Sequence, residues 1–150
     1  MLFFKKNIHI LFVLILFISI KVWAQTPPVL SATGNQPYCP LDSINIVTSF
    51  SIIPGDEQID AVFIQISENY KESDILILEN LASHPNVSSS WNAQEGKLTL
   101  ESVTSSSSSY YDLVSAVYDV VFYSNAANPS NDKKFSINVG EANYLPSTQH

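Results

Sequence analysis

The chain has 150 residues, with seven lysines, no arginine and fourteen acidic residues, and its formal net charge is −7. A surface of this sign repels nucleic-acid phosphates and anionic membrane lipids, so we expect neither as a partner. The single cysteine, Cys39, excludes an intramolecular disulfide, and the fold must therefore depend on an apolar core. We interpret Cys39 as a small, partly buried side chain and not as a nucleophile.

Residues 1–24 contain the three parts of a secretory signal peptide in their usual order. Lys5 and Lys6 precede an apolar run over residues 8–20, and small residues at Val22 and Ala24 form a cleavage site. The run is short for a membrane span, although an uncleaved N-terminal anchor remains the alternative. Cleavage after Ala24 leaves four lysines against fourteen acidic residues, a formal charge of −10, and a product that is secreted or held on the outer cell surface. We expect no membrane span after cleavage.

The first part of the mature chain predicts a leader followed by strands. Residues 25–41 contain several prolines, and we interpret them as an extended leader with turns. Residues 44–52 place apolar side chains at period two and predict a strand with one wet face. A turn follows, and the apolar residues within 59–67 predict a second, central strand. Residues 74–78 predict a short strand that is covered on both faces.

The second part of the chain continues in the same pattern. We expect strands over residues 86–91, 97–101 and 135–139, with a serine-rich loop over 105–109. Residues 111–116 predict a short helical turn that leads into a strand over 117–123. About seven short strands indicate an all-β domain, an immunoglobulin-like or cadherin-like sandwich over residues 42–140. Residues 141–150 are predicted to run into a further domain.

Three acidic side chains of the turn after the first strand are candidate metal ligands. Asp56, Glu57 and Asp60 offer the carboxylate oxygens that calcium prefers. The alternative is a solvated acidic turn that keeps a strand end soluble, and six to eight oxygens would be needed for a full calcium shell. EF-hand spacing, HExxH and paired cysteines are absent from the sequence, which argues against other common metal sites.

The sequence contains no recognisable catalytic motif, and we expect a protein that is not an enzyme and has no cofactor other than calcium. There is no phosphate-binding glycine loop and no GxSxG elbow. Asp112 and Asp119 flank an apolar stretch, and we interpret them as surface or capping residues. Six aromatic side chains could either stack on a sugar or form the rim of the core: Trp91, Tyr110, Tyr111, Tyr118, Phe122 and Tyr123.

The middle of the chain, over about residues 44–140, resembles the cadherin-like repeats related to the chondroitin-sulfate-proteoglycan repeat. The resemblance rests on the acidic turn and strand of 56–66, Asp74-Ile75-Leu76, Trp91 with 96–100, and the segments 111–117 and 120–123. In that family the tyrosine-led segment is a short helical turn that feeds a core strand. This chain lacks the family's richer calcium motifs.

The sequence is also similar to those of large secreted surface proteins from gliding, Bacteroidetes-type bacteria. In such proteins a domain of this kind stands ahead of a C-type lectin domain, and the chain ends in a gliding-motility-type sorting domain. The resemblance implies that residues 143–150 lead into the lectin domain and that the chain is a truncated product. Its partners would be a neighbouring extracellular domain, or a surface protein or glycan.

Together these features predict a non-catalytic extracellular module of an adhesin-like protein, which binds a partner or spaces a lectin-type domain from the cell. The alternative is a carbohydrate-binding accessory domain of a secreted glycan-processing enzyme. A third possibility is a domain that has lost its neighbours.

Overall fold

A computed structural model describes residues 25–104, 109–126 and 132–142. The predicted signal peptide at 1–24, most of the serine loop and residues 143–150 of the run-in lie outside the described residues. In the described ranges no helix is long and apolar enough to cross a membrane.

The described chain forms nine strands and one α-helix. In chain order the elements are β1 (Val29–Thr33), β2 (Ser43–Asn45), β3 (Ser49–Ile53), β4 (Ala61–Glu68), β5 (Asp74–Leu78), β6 (Val87–Asn92), β7 (Lys97–Ser102), α1 (Ser109–Tyr118), β8 (Val120–Ser124) and β9 (Lys134–Gly140). A short 3-10 turn, Leu81–Ser83, lies between β5 and β6.

All strand pairs are antiparallel, and the strands form an all-β sandwich, as predicted. The larger sheet has the order β6-β7-β4-β9. The facing layer contains two separate ladders, β1-β3 and β2-β8-β5, and residues 46–48 connect β2 of one to β3 of the other. At one flank of the sandwich β5 contacts β6, whereas β1 and β9 are edge strands on the other.

The core lies between the two layers and is built from alternating side chains. In β4, Val62, Ile64 and Ile66 face inward, and Leu98 and Leu100 do the same in β7. The facing layer contributes Phe122 from β8, which is 2 % exposed. Period-two burial of this kind is the pattern that predicted these strands from the sequence.

Two predictions in the first third of the chain need correction. The predicted strand over 44–52 is divided: β2 pairs with β8, whereas β3 pairs with β1. Both Ile46 and Val47 are buried, so the alternation is interrupted between the two pairings. In addition, β1 lies inside the predicted leader. These two differences raise the strand number above the predicted seven.

The helical segment is longer than predicted. α1 extends to Tyr118, so Val117 is helical and the strand begins only at Val120. Leu113, Ala116 and Val117 have helical spacing and are all fully buried, and α1 packs against β3 and β7. Packing of this face outweighs the β-propensity of the valines.

Phe122 offers a direct test of the core. Its ring makes edge-to-face contacts with Tyr38, at 5.0 Å between centroids, and with Phe135, at 5.6 Å. We expect Phe122→Ala to lower the free energy of unfolding by about 3–5 kcal/mol in urea titrations, because it leaves a cavity between the layers. Val103→Ala, at a side chain that is 60 % exposed, is the control and should change it by less than about 0.5 kcal/mol. Equal effects of the two changes would contradict this core.

Candidate binding site

The acidic turn between β3 and β4 holds both ends of the described chain. The Asp56 carboxylate accepts a hydrogen bond from the Thr26 backbone N–H at 3.0 Å, and the Asp56 N–H donates to the Thr26 carbonyl at 2.9 Å. The Asp60 carboxylate accepts from the Ala142 N–H at 2.6 Å. The described part of the chain therefore begins and ends at one pole of the sandwich, which we call the acidic pole.

These contacts account for the local chemistry of the turn. Hydrogen bonds from Thr26 hold the pKa of the exposed Asp56 carboxyl below its ordinary value. The contact with Thr26 is therefore fully present above the ordinary carboxyl pKa and is lost as the pH falls through the lowered one. Gly55 is required here because a Cβ at this position would lie 1.7 Å from the Thr26 carbonyl oxygen.

The three predicted calcium ligands are thus near in sequence but have separate roles. Asp56 and Asp60 bind different backbone N–H groups, and Glu57 is exposed. Within residues 25–104, 109–126 and 132–142 no group of three or more His, Cys, Asp or Glu side chains is arranged to hold a metal ion. Calcium binding by these three residues stays a prediction, and their side chains do not form an assembled ligand shell in the structure.

The pole opposite the acidic pole is formed by the far ends of the strands. β4 leaves the acidic turn at Ala61 and ends at Glu68, and β9 begins at Lys134 beside it. The loops 34–42, 69–73 and 93–96 also lie at this end, which we call the free pole. Leu41 is held there with φ 65 and is 59 % exposed, a strained backbone conformation for a leucine.

A cleft of about 1000 Å³ opens along the flank between β1 and β9 and reaches the free pole. Its apolar wall contains Leu30, Ile44 and Phe50 from the smaller ladders and Phe135 and Ile137 from β9. Its polar lining comes mainly from the loop after β1 and from the chain that leads into β9: Thr33, Asn35, Gln36, Asn45, Asp132, Lys133 and Lys134. Apolar walls with a few polar groups are typical of ligand sites.

Tyr38 fixes the loop that borders this cleft. Its hydroxyl donates to the Ser124 carbonyl at 3.3 Å and accepts from the Ser124 N–H at 3.0 Å. Its ring packs against Phe122, so the loop is attached to the core through both polar and apolar contacts. The cleft therefore has a preformed wall on this side. Cys39, the next residue, is exposed, which corrects the prediction of a partly buried side chain.

A buried ion pair supports the other wall. The Lys133 ammonium donates to the Asp74 carboxylate at 2.6 Å, and the two side chains are 9 % and 1 % exposed. Lys133 also donates to the Asn69 carbonyl, and the Asp74 carboxylate accepts from the Lys71 N–H at 2.8 Å. The pair joins β5 in one layer to the chain that leads into β9 in the other. Sequence patterns gave no sign of this contact between residues 59 positions apart.

His84 and Asp119 form a second contact that the sequence did not reveal. The His84 imidazole Nε2 lies 2.8 Å from the Asp119 carboxylate, and His84 is buried. Asp119 follows the C-terminus of α1, where a carboxylate is unfavourable beside the helix dipole. Contact with His84 offsets that repulsion, which is a structural role. Asp112, the other acidic residue singled out, accepts from the Asn86 amide at 3.1 Å.

The six aromatic residues singled out from the sequence do not meet in one platform. Phe122 belongs to the core, and the Tyr118 hydroxyl donates to the Phe50 carbonyl. Trp91 is half-buried against Tyr70, with 6.3 Å between ring centroids. Partial burial, and then the charges of Asp74 and Glu72, raise the pKa of Tyr70. Tyr110 and Tyr111 lie together, with 4.1 Å between their ring centroids, and Tyr111 is 64 % exposed. Tyr123 is half-buried.

No protein family, curated protein or solved structure matches this chain.

The buried ion pair gives a matched pair of variants. We expect Lys133→Met to lower the free energy of unfolding by about 3–5 kcal/mol, because it leaves the Asp74 carboxylate buried without its counter-ion. Lys134→Met removes an exposed pair with Glu68 and should cost less than about 1 kcal/mol. Urea titrations of both variants measure the difference. A Lys133 variant as stable as the Lys134 variant would show that the ion pair does not join the layers.

The calcium prediction is tested by thermal melts. If Asp56, Glu57 and Asp60 bind the ion, calcium chloride raises the melting temperature, a chelator reverses the rise, and Glu57→Gln abolishes it. Glu57 is the suitable position, because its substitution leaves the contacts of Asp56 and Asp60 with the chain ends in place. Asn92→Ala, at the free pole, is the control. Identical melting temperatures with calcium and with chelator contradict the prediction.

Proposed function

We propose that this chain is a non-catalytic extracellular binding module of a secreted or cell-surface adhesin-like protein. The observation that carries the proposal is the arrangement of the two poles. Both ends of the described chain, Thr26 and Ala142, are held at the acidic pole by Asp56 and Asp60, so a domain connected through either end would attach on this side. The free pole and the flank cleft that opens toward it would then remain accessible to a partner.

This arrangement favours a binding role over an in-line spacer. A spacer in a linear array receives the chain at one pole and passes it on at the other, whereas here both ends of the described chain lie at the same pole. A domain attached at a single pole projects its opposite pole outward. If a lectin-type domain follows residue 150, as the similarity to secreted surface proteins of gliding bacteria implies, the two domains would stand side by side and could bind the same partner. α1 lies directly before the central strand β8, and this order supports the resemblance to the cadherin-like repeats.

The lining of the cleft favours an uncharged polar ligand such as a glycan. Amide side chains of Asn35 and Gln36 lie beside the apolar wall that contains Phe135. Amide groups both donate and accept hydrogen bonds, as sugar hydroxyl groups require, and an aromatic ring can pack against a sugar face. The charged residues of the lining are confined to 132–134, at one end of the cleft.

A printed glycan array is the test, with the protein isolated from cell-surface and culture fractions. We expect surface or secreted protein that binds a glycan without releasing product. Asn35→Trp should abolish binding because it fills the cleft, whereas Ser90→Trp, on the exposed outer face of β6, should leave binding unchanged. Protein that retains Met1 in the cytosol, or binding that survives Asn35→Trp, contradicts the proposal.

The second candidate is a carbohydrate-binding accessory domain of a glycan-processing enzyme, and the contact of the exposed Tyr111 with the half-buried Tyr110 favours it. Its rings lie near the start of α1, away from the cleft, and could stack on a sugar. On the same array this candidate requires that Tyr111→Ala abolish binding while Asn35→Trp does not.

A further inference from the structure

β9 is an edge strand whose outer side has no partner among the described residues. It is seven residues long, and in the described chain it pairs only with β4. No proline interrupts it, and no charge lies between Lys134 and Gly140. An edge strand of this length and composition lacks most of the features that keep sheet edges from pairing with other chains.

The ladder indicates which backbone groups are free. The Ile66 N–H donates to the Gly96 carbonyl, so Ile66, Ile64 and Val62 direct their backbone groups toward β7. The alternate residues of β4 then bond to β9, where their partners are Ser136, Asn138 and Gly140. It follows that the N–H and C=O groups of three β9 residues point outward: Phe135, Ile137 and Val139.

From this pattern we propose that two copies of the chain associate through an antiparallel β9–β9 pair centred on Ile137. A two-fold axis at this position places Ile137 opposite its own copy and exchanges both of their backbone hydrogen bonds. Phe135 of each copy then lies opposite Val139 of the other and bonds in the same way. Every outward-facing N–H and C=O group of these three residues is satisfied, and the two larger sheets become continuous.

The side chains of this register are self-complementary on both faces. On the core face an aromatic residue meets a β-branched one, Phe135 with Val139, which is a favourable cross-strand pair. On the other face Ser136 meets Asn138. All of these positions lie within the strand, so one short sequence serves as both partners.

Charge complementarity favours a second copy as the occupant. In this register Lys134 of one chain lies opposite Gly140 of the other and next to its Glu141. The Lys134 side chain is 65 % exposed and pairs with Glu68 of its own chain, whereas Glu141 is exposed and has no ion-pair partner among the described residues. The two-fold axis repeats this contact at both ends of the pair. The protein is otherwise strongly acidic, so a register that brings a lysine beside a free carboxylate reduces the repulsion between copies.

This association is proposed independently of the ligand, although both use the same flank of the sandwich. The partner strand would lie along the outer side of β9, on the flank where the cleft opens. Sedimentation without ligand measures the dimer and the array measures glycan binding, so the loss of either one is a separate outcome.

Sedimentation equilibrium of the purified chain over a range of concentrations measures the association. We expect a monomer–dimer equilibrium. Ser136→Lys combined with Asn138→Lys places like charges opposite each other twice and should weaken the dimer about tenfold. Ser136→Glu combined with Asn138→Lys places opposite charges at the same two positions and should restore it. Both pairs of changes lie on the side of β9 away from the core, and circular dichroism confirms that they fold.

Amide hydrogen exchange provides the second measurement. The N–H groups of Ser136 and Asn138 should be protected at every concentration, because they bond to β4. Those of Phe135, Ile137 and Val139 should become protected only as the dimer forms. A protein that stays monomeric at millimolar concentration overturns the proposal, as does a dimer that the lysine variant leaves intact. Protection of Ile137 in the monomer would overturn it too, because another segment of the chain would then cover the edge.

Discussion

Apolar packing between the two layers is the interaction on which the rest of this structure depends. The chain has one cysteine and can form no internal disulfide, so the contact of β4 and β7 with Phe122 and Leu76 of the facing layer must supply the stability. The buried Asp74–Lys133 pair joins the layers at the free pole, but a buried ion pair is a weaker source of stability than the core it adjoins. Its main effect is to fix where the chain enters β9.

The acidic turn shows how one set of residues can fit two chemical interpretations. Carboxylates clustered in sequence suggest a cation site, yet Asp56 and Asp60 each accept a hydrogen bond from a backbone N–H at a different end of the described chain. Unpaired N–H groups at chain ends and hard cations both seek carboxylate oxygens, so the sequence alone does not distinguish them. In this protein the contacts bring both ends of the described chain to one pole, opposite the free pole.

The strands whose side chains alternate cleanly were predictable, and those that depend on distant pairing were not. Leu98 and Leu100 marked β7 within a residue of its observed bounds, and the apolar run of β5 was equally clear. β1 has a single half-buried side chain, Leu30, so its sequence shows no alternation of apolar and polar residues that would predict a strand paired with β3. The position where α1 ends could not be predicted either, because it depends on the residues that pack against Val117 in the folded protein. The cleft could not be predicted, because its walls come from segments that only the topology brings together.

The claim that packing between the two layers carries the stability is tested most directly by amide hydrogen exchange across the whole chain under native conditions. If it is correct, the slowest-exchanging amides belong to β4, β7 and β8, and they exchange only through global unfolding, whose free energy matches that from urea titration. If the slowest amides instead lie in α1, and β4 exchanges well before global unfolding, the stability resides elsewhere and the account fails.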